Sequence, residues 1–185
     1  MKSIIKILIV VVIVLLVWGG FKIYEGEDAA RAIKTYSSDK ISFQYPAHYY
    51  LEEKVINSAQ RERVQIILTE DSEENRLVRE GKTPPREGPV AITIDIFQNN
   101  LDQQTLMQFV TGANDSNYKL GAGKVSTTTI GTQTGLEYFW SGLYEGRSFV
   151  TSDSENIYHF AVTFMNYDAP IIDDFETVLG TVELK

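Results

Sequence analysis

The only imidazoles in this chain of 185 residues are His48 and His159, and it contains no cysteine. That inventory removes thiol nucleophiles, disulfides, cysteine zinc sites and iron–sulfur ligation. His159 sits in the alternating run Tyr158-His159-Phe160-Ala161-Val162, so it points away from the row Tyr158, Phe160, Val162 and Phe164. There it reads as a structural or surface histidine rather than a ligand or base. His48 follows Pro46-Ala47 at a turn, and the two histidines meet only if their strands pair. A Ser-His-Asp relay needs a distinctive nucleophile setting, and no Gly-x-Ser-x-Gly occurs. His-Glu-x-x-His and a phosphate-cradling glycine loop are also missing. Glu70, Asp71, Glu73 and Glu74 crowd one polar stretch, and oxygen-rich clusters can hold Ca²⁺ or Mn²⁺. The spacing is not that of an EF-hand, so the cluster reads as a solvated charge run. Asn114-Asp115-Ser116 matches a glycosylation sequon. No catalytic residue, cofactor or metal is assigned on these patterns.

What remains is recognition chemistry. Tyr138, Phe139, Trp140, Tyr144, Phe149, Tyr158, Phe160 and Phe164 cluster in the second half, with Tyr138 and Trp140 on one strand face and Phe139 on the other. Aromatics on both faces mean either helices over both sides or an open groove. Arg76, Arg79, Lys82 and Arg86 punctuate a long polar excursion and suit an acidic partner, although Glu80 and Glu87 are interspersed. With Tyr49, Tyr50 and Trp140 they form the candidate interaction surface.

The elements that must position these groups follow from periodicity. Ile41, Phe43 and Tyr45 alternate in a half-buried strand stopped by Pro46. His48–Val55 and Arg63–Thr69 read as the next strands. Residues 70–88 form a long excursion, with a short helix over Ser72–Glu80. In Pro89–Phe97, Val90, Ile92, Ile94 and Ile96 share one face, with Thr93 and Asp95 on the other. Asn99 or Asn100 caps a helix running to about Val110. Lys124–Ile130, Thr134–Trp140, Arg147–Thr151 and Asn156–Met165 follow as an antiparallel meander joined by turn residues. A closing helix carries the stripe Ile171, Ile172, Phe175, Val178 and Leu179, capped by Asp168 and ended by Gly180. Thr181–Leu184 returns as an edge strand. Many antiparallel strands with few helices predict an α+β domain, helices packed on a twisted sheet.

The address lies at the N-terminus. Ile7 to Val17 is unbroken apolar sequence; Trp18, Gly19, Gly20 and Phe21 extend it to Lys22. Ile4–Tyr24 suffices for a bilayer helix if Lys6 and Lys22 snorkel outward, with Trp18 and Tyr24 in the interfacial belt. A cleaved signal peptide fits less well, because Val17-Trp18-Gly19 is a poor small-x-small site. We therefore expect residues 1–24 to be a cytoplasmic tip and transmembrane signal-anchor, 25–38 a stalk, and 39–185 a single extracytoplasmic domain of a cell-membrane protein. Residues 26–185 carry fourteen basic and twenty-four acidic side chains, a net charge of −10. The asymmetry is internal: residues 87–185 hold four basic and thirteen acidic residues, a balance that repels nucleic acid.

The strand Ile41-Ser42-Phe43-Gln44-Tyr45-Pro46 after the lead-in Tyr36-Ser37-Ser38 resembles the start of PsbP-like domains, relatives of the extrinsic photosystem II protein. The meander Gly135–Met165 and the helix with Phe175, Val178 and Leu179 are similar too. Tyr49 and Tyr50 stand where a tryptophan often follows the proline in that family, and the membrane anchor also departs from thylakoid-lumen relatives. The resemblance implies an α/β/α sandwich around an antiparallel sheet and a non-enzymatic role. The expected function is thus a membrane-anchored interaction or assembly module, bound to the bilayer through Ile7–Phe21 and to a protein partner in the envelope. The rivals are an envelope ligand- or metal-binding domain and, behind it, a hydrolase.

Overall fold

Burial on both sides marks the strand in the middle of the sheet: in Asn156–Phe164 every residue but Thr163 is buried. The computed structural model describes residues 32–57, 61–84, 88–99, 102–112, 115–121 and 123–185. Its elements, in chain order, are β1 (Ile33–Ser37), β2 (Ile41–Pro46), β3 (Tyr49–Asn57), β4 (Glu62–Glu70), α1 (Glu73–Arg79), β5 (Ala91–Gln98), α2 (Leu106–Gly112), a 3₁₀ turn (Asn117–Leu120), β6 (Ser126–Ile130), β7 (Gln133–Ser141), β8 (Glu145–Ser152), β9 (Asn156–Phe164), α3 (Ile171–Gly180) and β10 (Glu183–Leu184). Seven strands form one antiparallel sheet in the order β3-β4-β5-β9-β8-β7-β6. β1, β2 and β10 form a second, smaller sheet.

The centre of the large sheet is buried on both faces. On the first face Ile92, Ile94, Ile96, Phe160 and Val162 pack beneath Phe175 and Val178 of α3 and Ile41 and Phe43 of β2. On the second face Phe97, Val150, Ile157, Tyr138 and Trp140 pack beneath Phe109 and Val110 of α2. Each large apolar side chain withdrawn from water contributes about 1.5–3 kcal/mol before entropy is counted. Two glycines make room for rings that lie across strands. Trp140 covers Gly146, its partner in β8, where an added Cβ would sit 2.2 Å from the indole. On the other face the Phe149 ring lies over Gly135.

Several boundaries differ from the expectation. Residues 33–37, read as the end of a stalk, form β1, because Tyr36 stacks on Phe43 (centroids 5.1 Å apart) and pairs in register with it. The helix expected from Asn99 or Asn100 begins at Leu106 instead. Thr105 Oγ1 accepts from the Gln108 amide at 3.2 Å while Gln108 Oε1 accepts from the Thr105 amide at 2.9 Å, a reciprocal capping box. Asn99 closes the preceding loop: its side chain accepts from the Gln104 amide and donates to the Gln104 carbonyl, both at 3.0 Å. α3 starts at Ile171 behind Pro170, with no side-chain cap from Asp168. Its end falls one residue beyond Leu179, where Thr181 Oγ1 donates to the Thr177 carbonyl at 2.9 Å. In the long excursion Ser72 caps α1, accepting from the Asn75 amide at 3.3 Å. Among the described residues no helix is long and apolar enough to cross a membrane, and the run Ile4–Tyr24 lies outside them.

Gly135 tests the ring-over-glycine packing. A Cβ there would stand 2.2 Å from the Val150 carbonyl oxygen and 2.8 Å from the Phe149 ring. Backbone cannot yield as a long side chain can, so Gly135→Ala is expected to cost about 1–3 kcal/mol or more, read as a lower denaturation midpoint. An unchanged midpoint would refute this packing.

Candidate functional site

α1 lies over the β3–β4–β5 corner of the second face and leaves a cleft between helix and sheet. Ile67 and Thr69 of β4, Ala91 of β5 and Val78 of α1 form its apolar walls, with Glu52 and Arg79 also lining it, around a volume of about 300 Å³. Beside it stands Tyr50, 40 % exposed, with the Arg79 guanidinium 3.9 Å above its ring centroid. Arg79 also pairs with Asp71, which holds the stack in place. Such a cation–π contact is worth about 0.5–1 kcal/mol at an exposed site. Asn75 anchors the helix from beneath, donating to the Glu70 carbonyl at 2.9 Å.

Tyr50 and Arg79 are thus brought together, and the other candidate surface residues are dispersed. Arg76 is exposed and faces Glu73 at 3.9 Å; Lys82 pairs with Glu80 at 2.6 Å. Arg86 lies outside the described residues. Tyr49 and Trp140 are corrections: both are buried and offer no surface to a partner. Strand alternation turns Tyr49 to the face opposite Tyr50, where its hydroxyl donates to Asp174 of α3 at 2.8 Å. Burial and that carboxylate push the Tyr49 phenol well above its ordinary range. Trp140 is held inward by its Nε1–H, which donates to Ser148 Oγ at 3.0 Å. The acidic run is divided among partners, Asp71 to Arg79 and Glu73 to Arg76. Among the described residues no group of three His, Asp or Glu is placed to hold a metal ion.

The histidines do not meet, since β4 and β5 separate β3 from β9. His48 approaches Asp174 at 3.4 Å on the first-face side. His159 projects from the opposite face to Tyr158, Phe160 and Val162, as alternation predicts, and is buried. Its Nε2 lies 3.0 Å from Ser148 Oγ and 3.3 Å from the Tyr138 hydroxyl, which in turn lies 3.2 Å from Ser116 Oγ. Sequence reasoning missed this row. Its signal was the shared inward parity of Tyr138, Ser148 and His159, legible only once the β7–β8–β9 register is known.

A serine against a histidine invites comparison with a hydrolytic relay, but the third group is elsewhere. Asp95 faces His159 across the β5–β9 pairing, yet its carboxylate accepts from Gln65 at 2.9 Å and approaches Arg63 at 3.8 Å. Burial raises the Asp95 pKa against those two groups. His159 Nδ1 has no hydrogen-bond partner, so no carboxylate orients the ring. Ser148 is wholly buried. The arrangement is that of a polar seam inside an apolar layer.

Burial, reinforced by the nearby Arg63 charge, lowers the His159 pKa from 6.5 to about 4. The unfolded chain therefore takes a proton between those two values that the folded chain refuses. This contribution to stability is complete above pH 6.5 and is lost as pH falls toward 4. Unfolding free energy should fall across this window by up to about 1.4 kcal/mol per pH unit from this group. His159→Asn should remove that part of the slope in denaturant titrations; identical slopes in both proteins would contradict it.

No family model and no curated protein matches the chain. Among solved structures, cyanobacterial PsbP (CyanoP) from Synechocystis sp. PCC 6803 is similar with a TM-score of 0.52 and 14% identity, over 83% of this chain and 93% of that one. A crystal structure from Bacteroides thetaiotaomicron VPI-5482 has a TM-score of 0.49 and 14% identity over 82% of this chain, which spans 48% of that protein's length. Identity at this level speaks to fold alone. Antiparallel sheets, few helices and the likeness to cyanobacterial PsbP together show that this chain has a PsbP-like fold.

Proposed function

We propose that the chain is a non-catalytic interaction or assembly module, held at the cell membrane by a single-pass anchor at Ile7–Phe21 with its domain outside the cytoplasm. The observation that carries this reading is the cleft under α1 with the Tyr50–Arg79 stack beside it. Its walls are apolar and the neighbouring charges are already paired. The fitting partner is therefore a protein segment that inserts one apolar side chain, with Tyr50 and Arg79 as a rigid, amphipathic platform beside it. A net charge of −10 over residues 26–185 disfavours nucleic acid. The cleft volume, about 300 Å³, also lies at the lower end of the range for small-molecule sites, which favours a small apolar ligand as the second reading. The hydrolase reading has the least support, since Ser148 and His159 are buried and no carboxylate orients the imidazole.

A photo-crosslinking residue at Tyr50, in the full chain in intact membranes, tests the proposal. One protein adduct is expected, lost in Val78→Arg, whose side chain fills the cleft, and not formed from a probe at Thr127 on the exposed edge strand β6. Equal adducts from both positions, or none from Tyr50, would sink it. A small apolar compound that raises the melting temperature of the parent but not of Val78→Arg would favour the second reading.

A further inference from the structure

One end of the large sheet gathers exposed apolar side chains. The pairings Tyr49↔Glu70, Thr69↔Ala91, Ile92↔Val162, Glu145↔Phe164 and Ser141↔Glu145 place the ends of β3, β4, β5, β9, β8 and β7 in one row. Just beyond that row lie Leu143 in the β7–β8 turn, 67 % exposed, and Met165 and Tyr167 after β9, 66 % and 68 % exposed. Leu120 approaches the same turn, its Cδ1 3.7 Å from the Cβ position of Gly142. Single exposed apolar residues are ordinary, but four converging on one rim call for a covering.

The path of the chain says what covers them. The described chain enters at this same end: the Ala32 carbonyl accepts from the Ala47 amide at 2.8 Å, two residues before β3 begins, and exposed Ile33 follows. Phe21, the last residue of the apolar run, is eleven positions before Ala32. A chain of that length spans at most about 40 Å, so Ala32, at the rim end of the sheet, stands within that distance of a bilayer that holds the run. The charges along the rim are of both signs with an acidic excess, Lys119 and Lys124 beside Leu120 in sequence against Glu70 and Asp71 at the end of β4 and Glu145 and Asp168 flanking β8 and β9. A zwitterionic headgroup layer, which carries both signs itself, accommodates such a rim better than an anionic one.

We infer that this rim rests on the zwitterionic bilayer surface, with Leu143, Met165 and Tyr167 immersed at headgroup level. The inference rests on the anchor reading proposed above. Tyr167 suits the position, because a phenol satisfies both apolar and hydrated surroundings at a membrane interface. Docking here fixes the orientation of the domain: the sheet stands upright on the membrane, and the cleft beside α1 opens close to the surface rather than far from it.

The chain has no native cysteine, so single-cysteine variants report position cleanly. The full chain is reconstituted in phosphatidylcholine vesicles with an environment-sensitive fluorophore at Leu143→Cys, Met165→Cys or, at the far end of β3, Val55→Cys. Quenchers attached to the lipid headgroup are expected to quench the first two several-fold more than the third, and Met165→Glu is expected to reduce quenching at position 143. Equal quenching at 143 and 55 would overturn the inference. So would fluorescence at 143 that self-quenches in proportion to protein density, the sign of a second copy on this rim. Alkaline extraction of the membranes tests the anchor separately. A chain that stays in the membrane without preferential quenching refutes the docking alone, and a chain that is extracted refutes the anchor.

Discussion

The pairing of β5 with β9 is the interaction on which the rest of this domain depends. It joins residues from 70 apart in the chain at Ile92↔Val162 to 58 apart at Gln98↔Asn156, and nearly every side chain of β9 is buried. A strand pair buried on both faces cannot exist in a single layer with water on one side, so each face must be covered. α3 and the small sheet cover the first face and α2 with the 3₁₀ turn covers part of the second. The remaining corner, over β3, β4 and β5, is covered incompletely by the seven-residue helix α1, and that incompleteness is the cleft.

The two covered faces differ in chemistry. The first is an almost wholly apolar layer built on isoleucine and phenylalanine. The second carries His159, Ser148 and Tyr138, hydrogen-bonded to one another within its apolar surroundings, and Asp95, which is held by Gln65. A buried polar group costs more when unpaired than it gains when paired, so such a seam stabilises less than apolar packing but discriminates strongly between correct and slipped registers. A shift of β8 by one residue would turn Ser148 to the other face and separate it from His159 and Trp140. The neutral imidazole is part of this arrangement: charged, it would face Arg63 in surroundings with little water.

Legibility in the sequence followed the range of the forces involved. Strand alternation correctly separated Tyr138 and Trp140 from Phe139, placed His159 opposite the aromatic row and put Ile92, Ile94 and Ile96 together. Capping at α2 was misplaced because two asparagines and a threonine compete within seven residues, and the choice fell to Thr105 through its reciprocal bonds with Gln108. Tyr49 and Trp140 were read as surface because large aromatics with a polar tip are found in both settings. The Tyr49 hydroxyl found its acceptor, the half-buried Asp174, on a helix distant in the chain, and the Trp140 indole N–H found the buried Ser148 on the neighbouring strand.

By itself the sequence determined most of the strands and the closing helix, the faces of the central strands, the acidic balance and the apolar segment at the N-terminus. Each of these is a local or compositional property, set by periodicity, turn chemistry or counting. Only the tertiary structure decided the strand order that parts His48 from His159 and joins His159 to Ser148, the position of α1 that creates the cleft and stacks Arg79 on Tyr50, and the single row of strand ends that gathers Leu143, Met165 and Tyr167 where the chain enters. These depend on contacts between distant segments, whose energies appear only after the chain has closed the loops between them.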